Sequence, residues 1–264
     1  MYNKMRLLIP VLLLSLVCGI AVSAAPELSA DEILNRMDRM EGVNDMTCQL
    51  RMTVTSKSGQ TQVRNMTMYT KGKADGSQFF FVKVDLPALI KGTSLLSITR
   101  AGQADETWLY LPALGKPKRI TASERGGSFM GSDFSYQDMG TVRSEDYQSR
   151  LLRTEKLGGE EVYVVESVPR TEEIRKASGF SKQIWWIRTS NFTRAKAEFY
   201  DQAKKVAKVQ LASKPVEVKA GAWFNSMMEM SNKGLGSKTE VQFSNVRVNT
   251  GVKDEFFAVE NMKE

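Results

Sequence analysis

Asp133 and Asp138, with Glu124 shortly before them, come nearest in this sequence to catalytic equipment by type and spacing. Carboxylates that share a site do acid–base work when burial separates their pKa values. These three sit in the Gly- and Ser-rich stretch 122–140, and Asp in such a setting ordinarily closes turns and caps short helices. Turn chemistry outweighs catalysis here. The chain contains no histidine, which removes Ser-His-Asp and Cys-His arrangements and His-ligated metal sites together. It has no Ser-x-x-Lys, no Gly-x-x-x-x-Gly-Lys-Ser/Thr loop and no Gly-x-Gly-x-x-Gly. Gly126-Gly127 lacks the lysine and the helix of a phosphate loop. A carboxylate-dependent hydrolase is the weakest of the functional readings, and no metal or cofactor is expected.

What stands out instead is soft and apolar. The chain has 14 Met, 12 Phe and 4 Trp. Trp185 and Trp186 are adjacent in a strand pattern and so point to opposite faces. One face of the sheet is therefore covered, by helices or by a ligand. A Met-rich core is the plain explanation. Methionine is also adaptable and frequent at permissive hydrophobic surfaces, and the sharper reading is an apolar cavity. Its candidate lining is Met52, Met66, Met68, Phe79, Phe81, Leu95, Trp108, Tyr110, Trp185, Trp186 and Trp223.

The elements that must position these residues are mostly strands. Ser29 and Glu32 form a capping-box pattern before Ile33, Leu34 and Met37, which predicts a short amphipathic helix over 30–41. The period then switches to two: Met46, Cys48, Leu50, Met52 and Val54 alternate with polar neighbours. Strands follow to about Thr70, over 79–84, 93–99, 106–111 and 117–121, then near 150–157, 161–168, 182–188, 193–200, 204–211, 222–230 and 239–248. Turn signals between them mean an antiparallel meander rather than a parallel α/β sheet. The stretch 122–140 interrupts the meander and carries Phe129, Met130, Phe134 and Tyr136 among its glycines. A long loop with its own apolar side chains is a compact surface loop or a lid. A short helical piece is expected within 133–147.

At the N-terminus, Lys4 and Arg6 precede the apolar run Leu7–Val17 and the small residues Val22-Ser23-Ala24-Ala25. This is the order of a secretory signal peptide, with cleavage expected after Ala24. The run falls short of the roughly 20 residues a spanning helix needs, though an uncleaved anchor is the alternative. Cys18 is a poor match to a lipidated cysteine, because Val17 stands where a small residue is usual. If Cys18 leaves with the signal, Cys48 remains alone and no intramolecular disulfide forms. Residues 25–264 then read as one exported, periplasmic domain without repeat or linker. The formal charge of +7 is scattered among acids, which gives mild attraction to anionic membranes and no nucleic-acid footprint.

Several segments resemble the periplasmic outer-membrane lipoprotein-sorting proteins, LolA/LolB-like in the broad sense. The resemblance rests on Phe80-Phe81-Val82-Lys83 leading to Pro87 and Ile90-Lys91-Gly92-Thr93, and on Glu106-Thr107-Trp108-Leu109-Tyr110-Leu111-Pro112 with Lys118-Arg119-Ile120 behind. Its most specific part is the run 127–139, and Lys196-Ala197-Glu198-Phe199-Tyr200-Asp201 adds to it. The closer likeness is to a longer branch whose members accompany transporters of the resistance-nodulation-division type. The resemblance implies a mainly β fold: an incomplete, half-open β-barrel with short helices covering its concave face and an apolar cavity for acyl chains between them. It also implies a basic lid residue near the end of the second strand, for which Lys71 and Lys73 are the candidates. The function so implied is a monomeric carrier of lipid or lipoprotein acyl chains. The alternative is an accessory partner of such a transporter without cargo of its own.

Overall fold

The computed structural model describes residues 28–100, 102–140 and 144–263. The expected signal segment 1–24, with Cys18, lies outside them. Helix α1 (Ala30–Asp38) leads into β1 (Asp45–Thr55), β2 (Thr61–Gly72), β3 (Gln78–Leu86), β4 (Ser94–Thr99), β5 (Glu106–Tyr110) and β6 (Pro117–Arg119). After a long loop come β7 (Tyr147–Leu157), β8 (Glu160–Pro169), α2 (Glu172–Ser178), β9 (Lys182–Arg188), β10 (Arg194–Tyr200), β11 (Val206–Lys219), β12 (Ala222–Asn232) and β13 (Ser237–Val248). The strands form one antiparallel 13-stranded sheet in the order β6-β5-β4-β3-β2-β1-β13-β12-β11-β10-β9-β8-β7. Every neighbour is consecutive in the chain, β8 and β9 through α2, except one pair: β1 lies against β13, from Met46↔Val248 to Thr55↔Lys238. The sheet curls without closing. Its free edges, β6 and β7, are consecutive in the chain, and the loop between them crosses the open side. This is the half-open barrel that the resemblance implies.

The period-two reading is borne out in β1. β1 buries Met46, Cys48, Leu50 and Met52 on its concave face while Gln49 and Arg51 face out. α1 lays Ile33 and Leu34 into the same core. Only half of its capping box forms: Ser29 Oγ accepts from the Glu32 amide at 3.2 Å, but the Glu32 carboxylate turns to Arg36, one helical turn on. Among the described residues of 133–147 no α-helix forms; single 3₁₀ turns stand over 137–139 and 144–146, and the Ser135 amide donates to the Asp138 carboxylate instead of to a helical carbonyl. Among the described residues no helix is long and apolar enough to cross a membrane.

The sheet has two covered faces. A second apolar cluster sits on the convex side of β3, β4 and β5, where Phe79, Phe81, Leu96 and Ile98 meet Phe257 and Met262. Two 3₁₀ turns, Asp254–Phe257 and Val259–Lys263, carry this covering segment. It is tied down at its start by Asp45, whose carboxylate accepts from Thr250 N (2.7 Å), Thr250 Oγ1 (2.8 Å) and Gly251 N (3.0 Å). Burial pushes the Asp45 carboxyl up, but these bonds outweigh it and hold it below the usual carboxylate range. A carboxylate so held stabilises the fold above its unfolded pKa and stops doing so as pH falls through the folded one. Asp45→Ala is expected to cost about 1–3 kcal/mol near pH 7. The gap to the wild type should narrow below about pH 4, as read from urea unfolding at the two pH values.

Candidate functional site

The concave face is built from cross-strand rows. One row runs Met228–Val241–Met52–Arg64 across β12, β13, β1 and β2. The next runs Phe243–Leu50–Met66–Val84 across β13, β1, β2 and β3, and a third Cys48–Met68–Val82 across β1, β2 and β3. Side chains in a row stand within contact of one another on the same face. Above these rows the loop between β6 and β7 brings down Phe129, Phe134, Asp138 and Met139. Between loop and sheet lies a cavity of about 240 Å³, lined also by Met46, Thr70, Phe80 and Phe224. Asp138 and Thr70 are its polar members. An engineered apolar cavity of about 150 Å³ in another protein stays dry and admits benzene. The present space thus has room for the end of one acyl chain rather than for several whole chains.

The loop is held by polar side chains. Asp133 is buried, and its carboxylate accepts from Ser237 Oγ (2.5 Å) and Thr239 Oγ1 (2.8 Å) on β13. Its amide donates to Thr239 Oγ1 at 2.9 Å, and Lys208 Nζ of β11 donates to its carbonyl at 2.6 Å. Asp138 accepts from Ser135 N (2.6 Å) and Ser135 Oγ (2.8 Å). Glu124 accepts from Lys118 and from Thr121, and these bonds lower its pKa to about 2. All three acids singled out by spacing therefore shape turns or anchor the loop. Two positions depend on bare backbone: a Cβ on Gly127 would stand 2.9 Å from the Glu124 carbonyl, and Gly131 has φ +70°. Met130 takes a left-handed φ of 51° beside it, an uncommon conformation for a side-chain-bearing residue.

Of the cavity residues expected from sequence, Met52, Met66 and Met68 line it, and of the loop residues Phe129 and Phe134 do. Phe129 and Phe134 are buried rather than displayed; Met130 and Tyr136 are half-buried against the same core. Tyr136 meets the Phe129 ring edge-on at 6.2 Å. Leu95 belongs to the concave core without bordering the cavity. Phe79, Phe81, Trp108 and Tyr110 lie on the convex face beneath the C-terminal segment. Trp185 is concave but sits near α1, with its Nε1 donating to Ser167 Oγ at 3.2 Å and Arg194 over its ring. Trp186 faces the other way, donating to Glu155 Oε1 at 2.6 Å under Lys196. Trp223 is half-buried one residue from Phe224 and does not line the cavity. The reason is common to these corrections. Runs apolar on both faces, such as Phe79-Phe80-Phe81, carry no sign of which side is concave, and the register that decides it comes from pairing.

The basic candidates are also displaced. Lys71 and Lys73 both pair with Asp254 of the covering segment, Lys71 at 2.7 Å. Lys71 Nζ donates in addition to the Val252 carbonyl at 2.5 Å. They fasten the C-terminal segment and do not reach the cavity mouth. The basic residue of β2 that does face inward is Arg64, which shares the parity of Met66 and Met68. That parity was the signal available in the sequence. Among the described residues no group of three or more His, Cys, Asp and Glu side chains is arranged to hold a metal.

A curled antiparallel sheet with an apolar hollow under a crossing loop defines the class: a LolA-like open-barrel fold. A domain described as an outer membrane lipoprotein-sorting protein from Vibrio parahaemolyticus superposes with a TM-score of 0.83 at 29% identity, over 89% of this chain and 98% of its own. A DUF1329 family protein from Desulfovibrio piger gives 0.81 at 27% identity, over 88% and 97%. A LolA superfamily protein from Nitrosomonas europaea shares the fold alone, with a TM-score of 0.68 at 19% identity over 88% and 98%. Residues 76–264 match a family whose description reads "-like: Uncharacterized protein", and the chain belongs to that family. No curated protein matches the sequence.

Two outcomes follow from the packing. Phe129 is 2% exposed, and Phe129→Ala should lower stability by about 3–5 kcal/mol, measured by urea unfolding. An unchanged melting temperature would mean that the side chain is not packed as described. Cys48 is buried on the concave face, and burial pushes its thiol up to about 12. The thiolate is the reactive form, so at pH 8 the thiol of a chain lacking residues 1–24 should resist an aromatic disulfide reagent until denaturant is added.

Proposed function

We propose that residues 25–264 form a periplasmic carrier that takes up an acyl chain of a lipid or lipoprotein in this cavity and moves it between envelope membranes. The observation that carries the reading is the cavity itself, an apolar hollow roofed by a loop whose anchors are hydrogen bonds. Each methylene withdrawn from water contributes about 0.8 kcal/mol, so even part of a chain gives useful affinity. A carrier must also release its cargo. Side chains such as Phe129 and Phe134 that refill the space when it empties supply the opposing term. The printed description of the Vibrio domain, lipoprotein sorting, agrees with this reading.

The surface offers a way to meet a membrane. Leu89 is 94% exposed and Leu86 52%, at the turn after β3; Leu114, 58% exposed, sits on the turn after β5. These turns adjoin, since a Cβ on Gly92 would lie 3.5 Å from Pro112. Apolar tips grouped at one end of a chain mark a contact surface.

The test is direct. Protein purified from the periplasm, extracted with organic solvent and analysed by mass spectrometry should yield an acyl lipid, and the emptied protein should take up a fluorescent acyl probe saturably. Leu50→Trp, which fills the central row at a packing cost of about 1–3 kcal/mol, should abolish uptake while the chain still unfolds cooperatively. Reproducible absence of lipid together with no probe uptake would instead favour the transporter accessory without cargo.

A further inference from the structure

We propose that Arg64 receives an anionic head group, so that the cavity's ligand is a single-chain amphiphile ending in a carboxylate or phosphate rather than an uncharged acyl chain. This rests on the carrier reading and narrows its cargo.

Arg64 ends the row Met228–Val241–Met52. Two residues on, Met66 lines the cavity from the same face, as does its cross-strand partner Met52. The residue is 9% exposed. Its Nη2 donates to Gln62 Oε1 at 2.9 Å, but Nε and Nη1 are buried without any acceptor. Among the described residues no carboxylate lies within ion-pair distance of it. The buried acid of the overlying loop, Asp133, forms no ion pair with it and instead accepts from Ser237 and Thr239. A guanidinium keeps its charge in proteins, and a buried charge left unpaired is costly. Burial does depress the Arg64 pKa. An anion with two or more acceptor oxygens would satisfy both Nε and Nη1 and offset that cost.

The location says what kind of anion that is. Gly131, exposed on the loop, passes over the guanidinium: a Cβ built there would stand 4.0 Å from Nη2. The charge therefore lies beside the hollow rather than in its lining, next to Met52, which does line it. An amphiphile lying along the rows would bury its tail among them and bring its head to Arg64. The planar, multi-donor guanidinium suits carboxylate and phosphate oxygens. One tail, not two or three, matches the space under the loop.

The experiment competes laurate, dodecyl phosphate and methyl laurate against a fluorescent acyl probe, on wild-type protein, Arg64→Gln and Arg64→Lys. Sodium acetate and inorganic phosphate alone serve as head-only arms. Wild type should prefer the two anions to the ester by at least about tenfold. Arg64→Gln should erase that preference while binding methyl laurate as wild type does, and Arg64→Lys should keep part of it. Arg64→Gln should also melt no lower than wild type, since an uncompensated charge has been removed. Equal affinity for laurate and its ester in wild type, or a preference that survives Arg64→Gln, would overturn the proposal and leave the carrier reading standing. Inorganic phosphate binding as tightly as dodecyl phosphate would also overturn it, by showing a free-anion site. If no acyl compound binds at all, the carrier reading itself fails. Should Arg64→Gln not fold, the wild-type comparison decides alone.

Discussion

The pairing of β1 with β13 is the contact on which everything else depends. It is the only ladder in the sheet that joins strands distant in the chain. Without it there are two meanders, one of six strands and one of seven in order, each with two free edges and a half-covered face. With it, the Met52 row continues from β2 into β12, the Leu50 row continues from β3 into β13, and the sheet acquires a single concave wall. The pairing must close most of the chain into a loop before it gains a hydrogen bond, which makes it entropically costly and slow to form. What offsets that cost is a shared interior. Val241 and Phe243 on β13 have no apolar partner on one side until β1 arrives. The Asp45 carboxylate, at the start of β1, then catches Thr250 and Gly251 just beyond β13 and locks the register.

The hollow follows from a mismatch between curvature and filling. A strongly curled sheet leaves more space on its inner side than α1 and one loop can occupy. Methionine is the residue that tolerates this, because it can refill or vacate irregular space at small cost. The roof obeys a different rule. Asp133, Ser237, Thr239 and Lys208 hold it with hydrogen bonds, which exchange readily for bonds to water at small net cost. Apolar contact alone would weld the roof to the floor. The division of labour is thus between a soft lining and a latch of polar bonds.

The sequence made the strands legible because alternation survives wherever one face is wet. β1, β10 and the helix α1 are plain in their periods. The sheet's handedness of burial was not legible. Phe79-Phe80-Phe81 is apolar on both sides because the C-terminal turns around Phe257 and Met262 cover its convex face, whereas Trp186 packs in a separate cluster with Val162, Val164 and Ala195. Those turns, and α2, have too few residues to show a period. The loop 127–139 is recognisable as special, but nothing in the sequence shows that its aromatics form the roof's inner surface, as Phe129 and Phe134 do. Lys71 and Lys73 drew attention by position near the strand's end. Arg64 was hidden by the usual expectation that an arginine in an alternating strand lies on the wet face.

The two free edges of the sheet are consecutive in the chain, and this has a mechanical meaning. Widening the seam between β6 and β7 stretches one segment, residues 120–146, and breaks no ladder between strands. That segment is folded back on itself, with Ser128 bridged to Ser135 and the Phe129 amide bonded to the Phe134 carbonyl at 2.8 Å. Unpicking these few bonds releases a reserve of contour length at about 3.3–3.6 Å per residue. How far the seam opens is therefore set by this segment and by its bonds to Lys208, Ser237 and Thr239, not by any ladder between strands.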